Sequence, residues 1–127
     1  GEGFVAAASQ QLIYSANTAA GAGLSWAVEL GTPAAASKEL SFDYARLAVG
    51  GEGAKVSGRF TLAGLPGSRG WVDQALGFYS ANLLFPEGRC VMLIGVERTG
   101  DVQLASVTGP VEAAARSIFK RTRGACP

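Results

Sequence analysis

The sequence of 127 residues contains no histidine. Histidine is the commonest general base and the commonest metal ligand in proteins. Its absence excludes a Ser-His-Asp or Cys-His triad within this chain, and it excludes zinc sites that combine cysteine with histidine. The chain also contains no Walker motif and no dinucleotide-binding motif. We therefore expect no catalytic residues, no metal site and no cofactor.

Charge is scarce and nearly balanced, with 11 basic and 10 acidic side chains and a net charge of +1. Binding to a polyanion requires an excess of basic residues, so nucleic acid is excluded as a partner. No run approaches the ~18 apolar residues that a membrane-spanning helix needs, so we expect no integral membrane segment. Apolar residues make up 48% of the chain, which favours one folded domain over residues 1–127.

Periodicity predicts five strands. Apolar residues alternate with other residues at 24–30, 40–49 and 55–62, and a phase slip in the second run indicates a bulge. Residues 89–97 are almost continuously apolar, which is typical of a central strand covered on both faces. Residues 102–107 would pair with that strand after a short turn.

Three segments have helical spacing. They are residues 4–17, residues 71–84 and the segment that opens at Gly109-Pro110. Residues 12–14 at the end of the first segment are also compatible with a strand. The element order is therefore α-β-β-β-α-β-β-α. It predicts an α+β fold, with a single antiparallel sheet of about five strands and the helices packed on one face. A small sandwich or half-barrel with helices at its ends is the alternative.

Cys90 and Cys126 are the only thiols. An even cysteine count without a CxxC motif favours a structural disulfide and an oxidising compartment. Two unrelated thiols, one buried and one on a frayed tail, are the alternative. The bridge would hold the C-terminal tail and the last helix against the sheet.

Two other patterns invite a binding interpretation. Gly64, Gly67 and Gly70 form a G-x-x-G-x-x-G run before the predicted helix 71–84, where Arg69 could assist an anion at the helix N-terminus. An ordinary turn explains the glycines more simply.

On that predicted helix, Trp71, Phe78 and Tyr79 form an aromatic cluster. An exterior position would mark a ligand or partner surface, and a core position is the alternative. We therefore take Arg69, Trp71, Phe78 and Tyr79 as candidate binding residues. The carboxylates in or beside the predicted strands would more simply face solvent than converge in a site; they are Glu29, Asp43, Glu97 and Asp101.

These observations predict a non-enzymatic binding or interaction domain outside the cytoplasm, either periplasmic or secreted. It would act as an inhibitor or as the soluble part of an anchored protein, and its partner would be a protein. The alternative is a small-ligand carrier or a small histidine-independent enzyme. Its pocket would lie between the sheet and the helix at 71–84, with Arg46, Arg59 or Asp43 as polar groups. A homodimer through sheet edges or helix faces is a third arrangement.

Overall fold

The computed structural model describes residues 3–16, 19–51, 53–100 and 103–126, without the side chains of residues 9–16 and 19–21. Six strands and two helices form in these ranges. They are β1 (Phe4–Ala16), β2 (Ala19–Leu30), α1 (Pro33–Leu47), β3 (Lys55–Phe60), β4 (Arg69–Ala75), β5 (Phe78–Glu87), β6 (Cys90–Gly100) and α2 (Ala105–Thr122).

The six strands form one sheet in the order β1-β2-β6-β5-β4-β3, and every neighbouring pair is antiparallel. Strands that follow one another directly pair as hairpins, and the segment containing α1 carries the chain from β2 to the far edge. The predicted α+β class with a single antiparallel sheet is confirmed. The sheet has six strands where about five were expected.

The two helices lie on opposite faces of the sheet, and not together on one face. Successive residues of a strand point to opposite faces, and both faces of β5 and β6 are apolar. Leu84 and Leu93 belong to the buried cluster under α1, whereas Leu83 and Ile94 belong to the cluster under α2. The continuous apolar run at 89–97 correctly predicted a strand covered on both faces.

Helix α1 begins at Pro33, before the strand predicted at 40–49, and occupies most of that strand. Thr32 caps the helix by accepting a hydrogen bond from the Ala35 N–H at 3.1 Å, and Pro33 occupies its first turn. Ala36, Leu40 and Asp43 form its buried stripe at helical spacing. Phe42, which suggested strand alternation together with Leu40, is 62% exposed on the outer side.

The predicted helix at 4–17 is wrong within the described residues, because strand β1 occupies them as far as Ala16. Its partners in β2 run from Leu30 back to Ala19, so residues 19–23, where no strand was predicted, also join the sheet. The strand interpretation of residues 12–14 was the correct alternative. Small residues such as alanine are compatible with both periods, and here the long-range pairing decides between them.

The predicted helix at 71–84 is instead the hairpin of β4 and β5. Gly77 has φ 66° at the turn, a conformation that glycine adopts without strain. Leu76 beside it is fully exposed. Apolar residues on both faces of β4 and β5 recur at the spacing that is typical of a buried helical stripe, which explains the wrong prediction.

The final helix begins earlier than expected. Residues 105–107, expected to end a strand, form the first turn of α2, so Pro110 lies inside the helix. Residues 101 and 102 of the expected turn and strand lie outside the described residues. Val107, Val111 and Ala115 are fully buried against the sheet, so the expected apolar stripe of this helix begins one turn earlier.

Cys90 and Cys126 form the predicted disulfide, with their Cα atoms 6.0 Å apart. Two hydrogen bonds reinforce the attachment of the C-terminus to the β5–β6 turn. The Arg89 N–H donates to the Cys126 carbonyl, and the Thr122 hydroxyl donates to the buried Glu87 carboxylate.

Replacing both cysteines by serine should therefore destabilise the chain. The bridge closes a loop with a sequence separation of 36, for which chain entropy gives about 3–4 kcal/mol. Urea unfolding followed by circular dichroism measures the loss. Equal stability of the oxidised wild type and the double variant would contradict a structural role for the bridge.

Gly70 is required by a close approach between neighbouring strands. Phe60 lies opposite it on β3, and a Cβ at position 70 would overlap the Phe60 ring. Gly70→Ala should cost about 1–3 kcal/mol by overpacking, and adding Phe60→Leu should recover part of that loss. Gly58→Ala is the matched control, because a Cβ there meets nothing within 4 Å. Equal unfolding midpoints for the two alanine variants would argue against this packing.

Candidate functional site

An apolar groove runs along one side of α2. Helix α2 packs on β5 and β6. On its β3–β4 side, Leu62 and Leu65 of the loop after β3 pack into the same cluster, and the Arg116 Nη1 donates to the Ala63 carbonyl at 2.7 Å. On its β2 side, no described helix or loop covers the sheet.

The groove has two adjoining compartments of 390 and 270 Å³, which share Ser25, Ile94 and Ile118. Its floor is formed by residues of β2 and β6, and its wall by one stripe of α2. The principal lining residues are Gly23, Ser25 and Ala27 from β2, Met92, Ile94 and Val96 from β6, and Pro110, Ala114 and Ile118 from α2.

The groove exists because β2 has small residues on one face and large residues on the other. Trp26, Val28 and Leu30 pack towards α1, whereas Gly23, Ser25 and Ala27 face the α2 side of the sheet. The sequence did show this alternation at 24–30. We interpreted the alternation as one apolar face and one mixed face. We did not predict the open space above the small residues.

Polar groups lie near both ends of the groove. Arg98 lines it near the start of α2. Towards the end of α2, Thr122 lines it, and Glu29 of β2 forms an ion pair with Arg89 at 2.6 Å. The middle is apolar, which is the usual character of a binding site whose ends fix orientation.

Arg69 and Trp71, two of the predicted binding residues, meet on the α1 face of the sheet. Trp71 is buried, and its ring lies edge-on to the Tyr44 ring with centroids 5.8 Å apart. The Arg69 guanidinium lies 5.5 Å from the centroid of Tyr44. Arg59, which the sequence suggested as a polar group, is 5.4 Å from the same centroid.

Phe78 and Tyr79 do not join Arg69 and Trp71. They begin β5 beside the turn, and Tyr79 packs against the α2-side cluster. Its hydroxyl accepts a hydrogen bond from the Gln74 Nε2 at 3.1 Å. The four predicted binding residues therefore divide between two places in the sheet.

The glycine run ends in a strand. Gly64 and Gly67 have φ of 84° and 76° in the loop, and Gly70 lies in β4. Because no helix follows, the helix N-terminus that the anion-binding interpretation required is absent from this segment. The alternative interpretation as a turn agrees with the structure.

The carboxylates selected from the sequence do not converge. Glu29 pairs with Arg89, and Asp43 pairs with Arg46 at 3.1 Å. Glu97 is exposed on β6, and Asp101 lies outside the described residues. Among the residues described, no three cysteine, aspartate or glutamate side chains form a group able to hold a metal ion.

Asp73 is the carboxylate that sequence reasoning missed. It lies on β4 opposite Ser80, which is itself opposite Glu97. The Asp73 Oδ2 accepts a hydrogen bond from the Trp71 Nε1 at 3.2 Å, while Oδ1 is buried without a partner among the described residues. Burial raises the pKa of this carboxyl, and the hydrogen bond from Trp71 partly opposes the rise.

Comparisons with protein-family models, with curated proteins and with solved structures gave no significant match. Neither helix of the described chain is long and apolar enough to cross a membrane.

Asp73→Asn should stabilise the protein at neutral pH. Because the pKa of Asp73 is raised on folding, the folded chain keeps a proton that the unfolded chain releases above a pH of about 4. The stability that protonated Asp73 provides is therefore lost as the pH rises from about 4 through the raised pKa of the folded chain. Asparagine stays neutral, and its oxygen can still accept the hydrogen bond from Trp71.

Thermal unfolding at pH 3 and pH 7 tests this expectation. The advantage of the asparagine variant should be present at pH 7 and disappear at pH 3. Glu97→Gln is the control, because this exposed change should alter stability by less than about 0.5 kcal/mol. An asparagine variant that melts below the wild type at pH 7 would show that the carboxylate is stabilising.

Proposed function

We propose that this chain is a non-enzymatic protein-interaction domain that works outside the cytoplasm and binds an amphipathic helix of its partner in the groove beside α2. The disulfide supports the compartment, because such bridges persist in oxidising environments. The observation that carries the proposal is the apolar groove beside α2, whose floor is the uncovered β2 and the adjoining residues of β6.

The width of the uncovered surface supports a helical occupant. Strands are spaced about 4.8 Å apart, so six of them span roughly 24 Å. A helix with its side chains is about 10 Å wide. Helix α2 and the loop after β3 cover the sheet from β3 to β6 on this face, which leaves about one helix width above β1 and β2.

The small residues of the floor support the same occupant. Gly23, Ser25 and Ala27 let a neighbouring backbone approach the sheet closely, and Ala114 and Ile118 offer an apolar wall. Helix-in-groove recognition uses apolar side chains at positions i, i+3, i+4 and i+7 of the bound helix. Such a helix would lie beside α2 on the same face of the sheet, so the two helices would form one layer.

A small apolar ligand is the second candidate for the same groove. The larger compartment, at 390 Å³, is within the range of ligand pockets. The open side above β1 favours the helix, because a carrier normally encloses most of its ligand.

Ala114→Leu tests the groove, with Ala113→Leu as the matched control. Ala114 lines the groove, whereas Ala113 is exposed on α2. The first change fills the site with apolar volume, so it should block binding and leave the melting temperature within about 3 °C of the wild type. The second change should leave both properties unaltered.

Each protein would be immobilised and exposed to the extracytoplasmic fraction of its source cells. The expected result is a protein retained by the wild type and by Ala113→Leu and lost with Ala114→Leu. Hydrogen exchange of the purified pair should then show protection at Ser25 and Ala114. Equal capture by all three chains would contradict the proposal, and an apolar adduct in a native mass spectrum would favour the carrier.

A further inference from the structure

Three side chains from three different elements meet at the side of α1 that faces β3 and β4. They are Tyr44 of α1, Arg59 of β3 and Arg69 of β4. Both guanidinium carbons lie within 5.5 Å of the centroid of the Tyr44 ring. Two positive charges are therefore held around one aromatic ring, where each gains a cation–π interaction.

Neither of these arginines is neutralised by a described carboxylate. The ion pairs among described residues use other arginines, namely Arg46, Arg89 and Arg116. Asp43, which precedes Tyr44 in α1, pairs with Arg46, and Asp73 of β4 accepts a hydrogen bond from Trp71. Both guanidinium groups lie beside the same ring, so an anion that contacts both would be attracted by two positive charges.

Arg59 and Tyr44 are also held in place before any ligand binds. Arg59 donates from Nη2 to the Ala48 carbonyl at 2.9 Å and from Nη1 to the Tyr44 hydroxyl at 2.8 Å. The Tyr44 ring lies edge-on to the buried Trp71. Preorganised donors lose less conformational entropy on binding than free side chains do.

The donors left over suit an anion with several oxygen atoms. A guanidinium carries five N–H groups in a planar fork that matches phosphate and carboxylate oxygens. Arg59 uses part of this set, and Arg69 makes a ring contact without a hydrogen bond to a described residue. Because the Tyr44 oxygen accepts from Arg59, its own hydrogen can point to a ligand.

We propose that Tyr44, Arg59 and Arg69 form a phosphate-binding site. A phosphate dianion matches the two guanidinium charges, whereas a carboxylate would match only one of them. The site lies on the opposite face of the sheet from the groove. It shares no residue with the groove, so it is independent of the proposed partner helix.

Inorganic phosphate is the probe for the first experiment. Chemical shifts of the arginine side chains and of Tyr44 would be followed by NMR in the oxidised full chain, at constant ionic strength set with chloride. The expected result is saturable binding in the millimolar range. Arg69→Gln should weaken it by about fivefold or more, because a charged fork is lost. Arg69→Lys should restore it only in part.

Arg121→Gln is the matched control, since this exposed arginine lies on α2 away from Tyr44. The affinity of this variant for phosphate should equal that of the wild type. Arg69→Gln removes no hydrogen bond that the described structure contains, so it should fold normally. Shifts that do not saturate, or that are the same with chloride alone, would overturn the proposal. So would an Arg69→Gln variant with undiminished affinity.

Two further arms identify the source of the phosphate. One measures binding to glycerol 3-phosphate, and the other measures flotation with phosphatidylcholine vesicles that contain phosphatidic acid. Arg69-dependent binding in the first arm alone supports a soluble phosphomonoester. Arg69-dependent flotation supports a lipid headgroup. Failure in both arms, with Arg69-dependent binding of inorganic phosphate, supports free phosphate as the ligand. Failure with all three probes would overturn the site even if Ala114→Leu blocks a protein partner.

Discussion

The structure depends on the two central strands, which are apolar on both faces. Leu83 and Ile94 face one side of the sheet, and Leu84 and Leu93 face the other. Burying both faces requires a helix on each, and the chain provides one before β3 and one after β6. Two helices do not cover six strands completely. The surface that they leave uncovered contains the groove, so the candidate site is a direct consequence of how the core is closed.

The disulfide connects this core to the groove. Cys126 is attached to the first residue of β6, and Thr122 is hydrogen-bonded to Glu87 at the end of β5. Both contacts hold the C-terminal end of α2 against the β5–β6 turn. Ile118 and Ala114, which form the wall of the groove, lie one and two turns before Thr122. A bridge interpreted from sequence as a stabilising clamp therefore also positions one wall of the groove.

The sequence predicted the elements whose apolar pattern has a single explanation. Residues 90–97 of the predicted run 89–97 and residues 24–30 lie within strands, and Val111 and Ala115 are buried in the last helix. The wrong predictions occurred where the apolar residues fit both the helical period of 3.6 residues and the strand period of 2 residues. Positions four apart share a face in a helix and also share a face in a strand, so Trp71 and Ala75 were assigned to a helix. Pairing between distant segments decides such cases, and one sequence does not reveal it.

The sites were harder to predict than the fold, for a related reason. A groove floor of Gly23, Ser25 and Ala27 leaves no mark in composition, because these residues are also common in loops. Tyr44, Arg59 and Arg69 come together only because α1 packs on the face of the sheet that carries the two arginines. The sequence pattern instead placed residue 44 in a strand. Arg69 was selected for the wrong reason, as part of a glycine loop before a helix. What gives it chemical significance is a ring contact across the sheet, and such a contact follows from the topology alone.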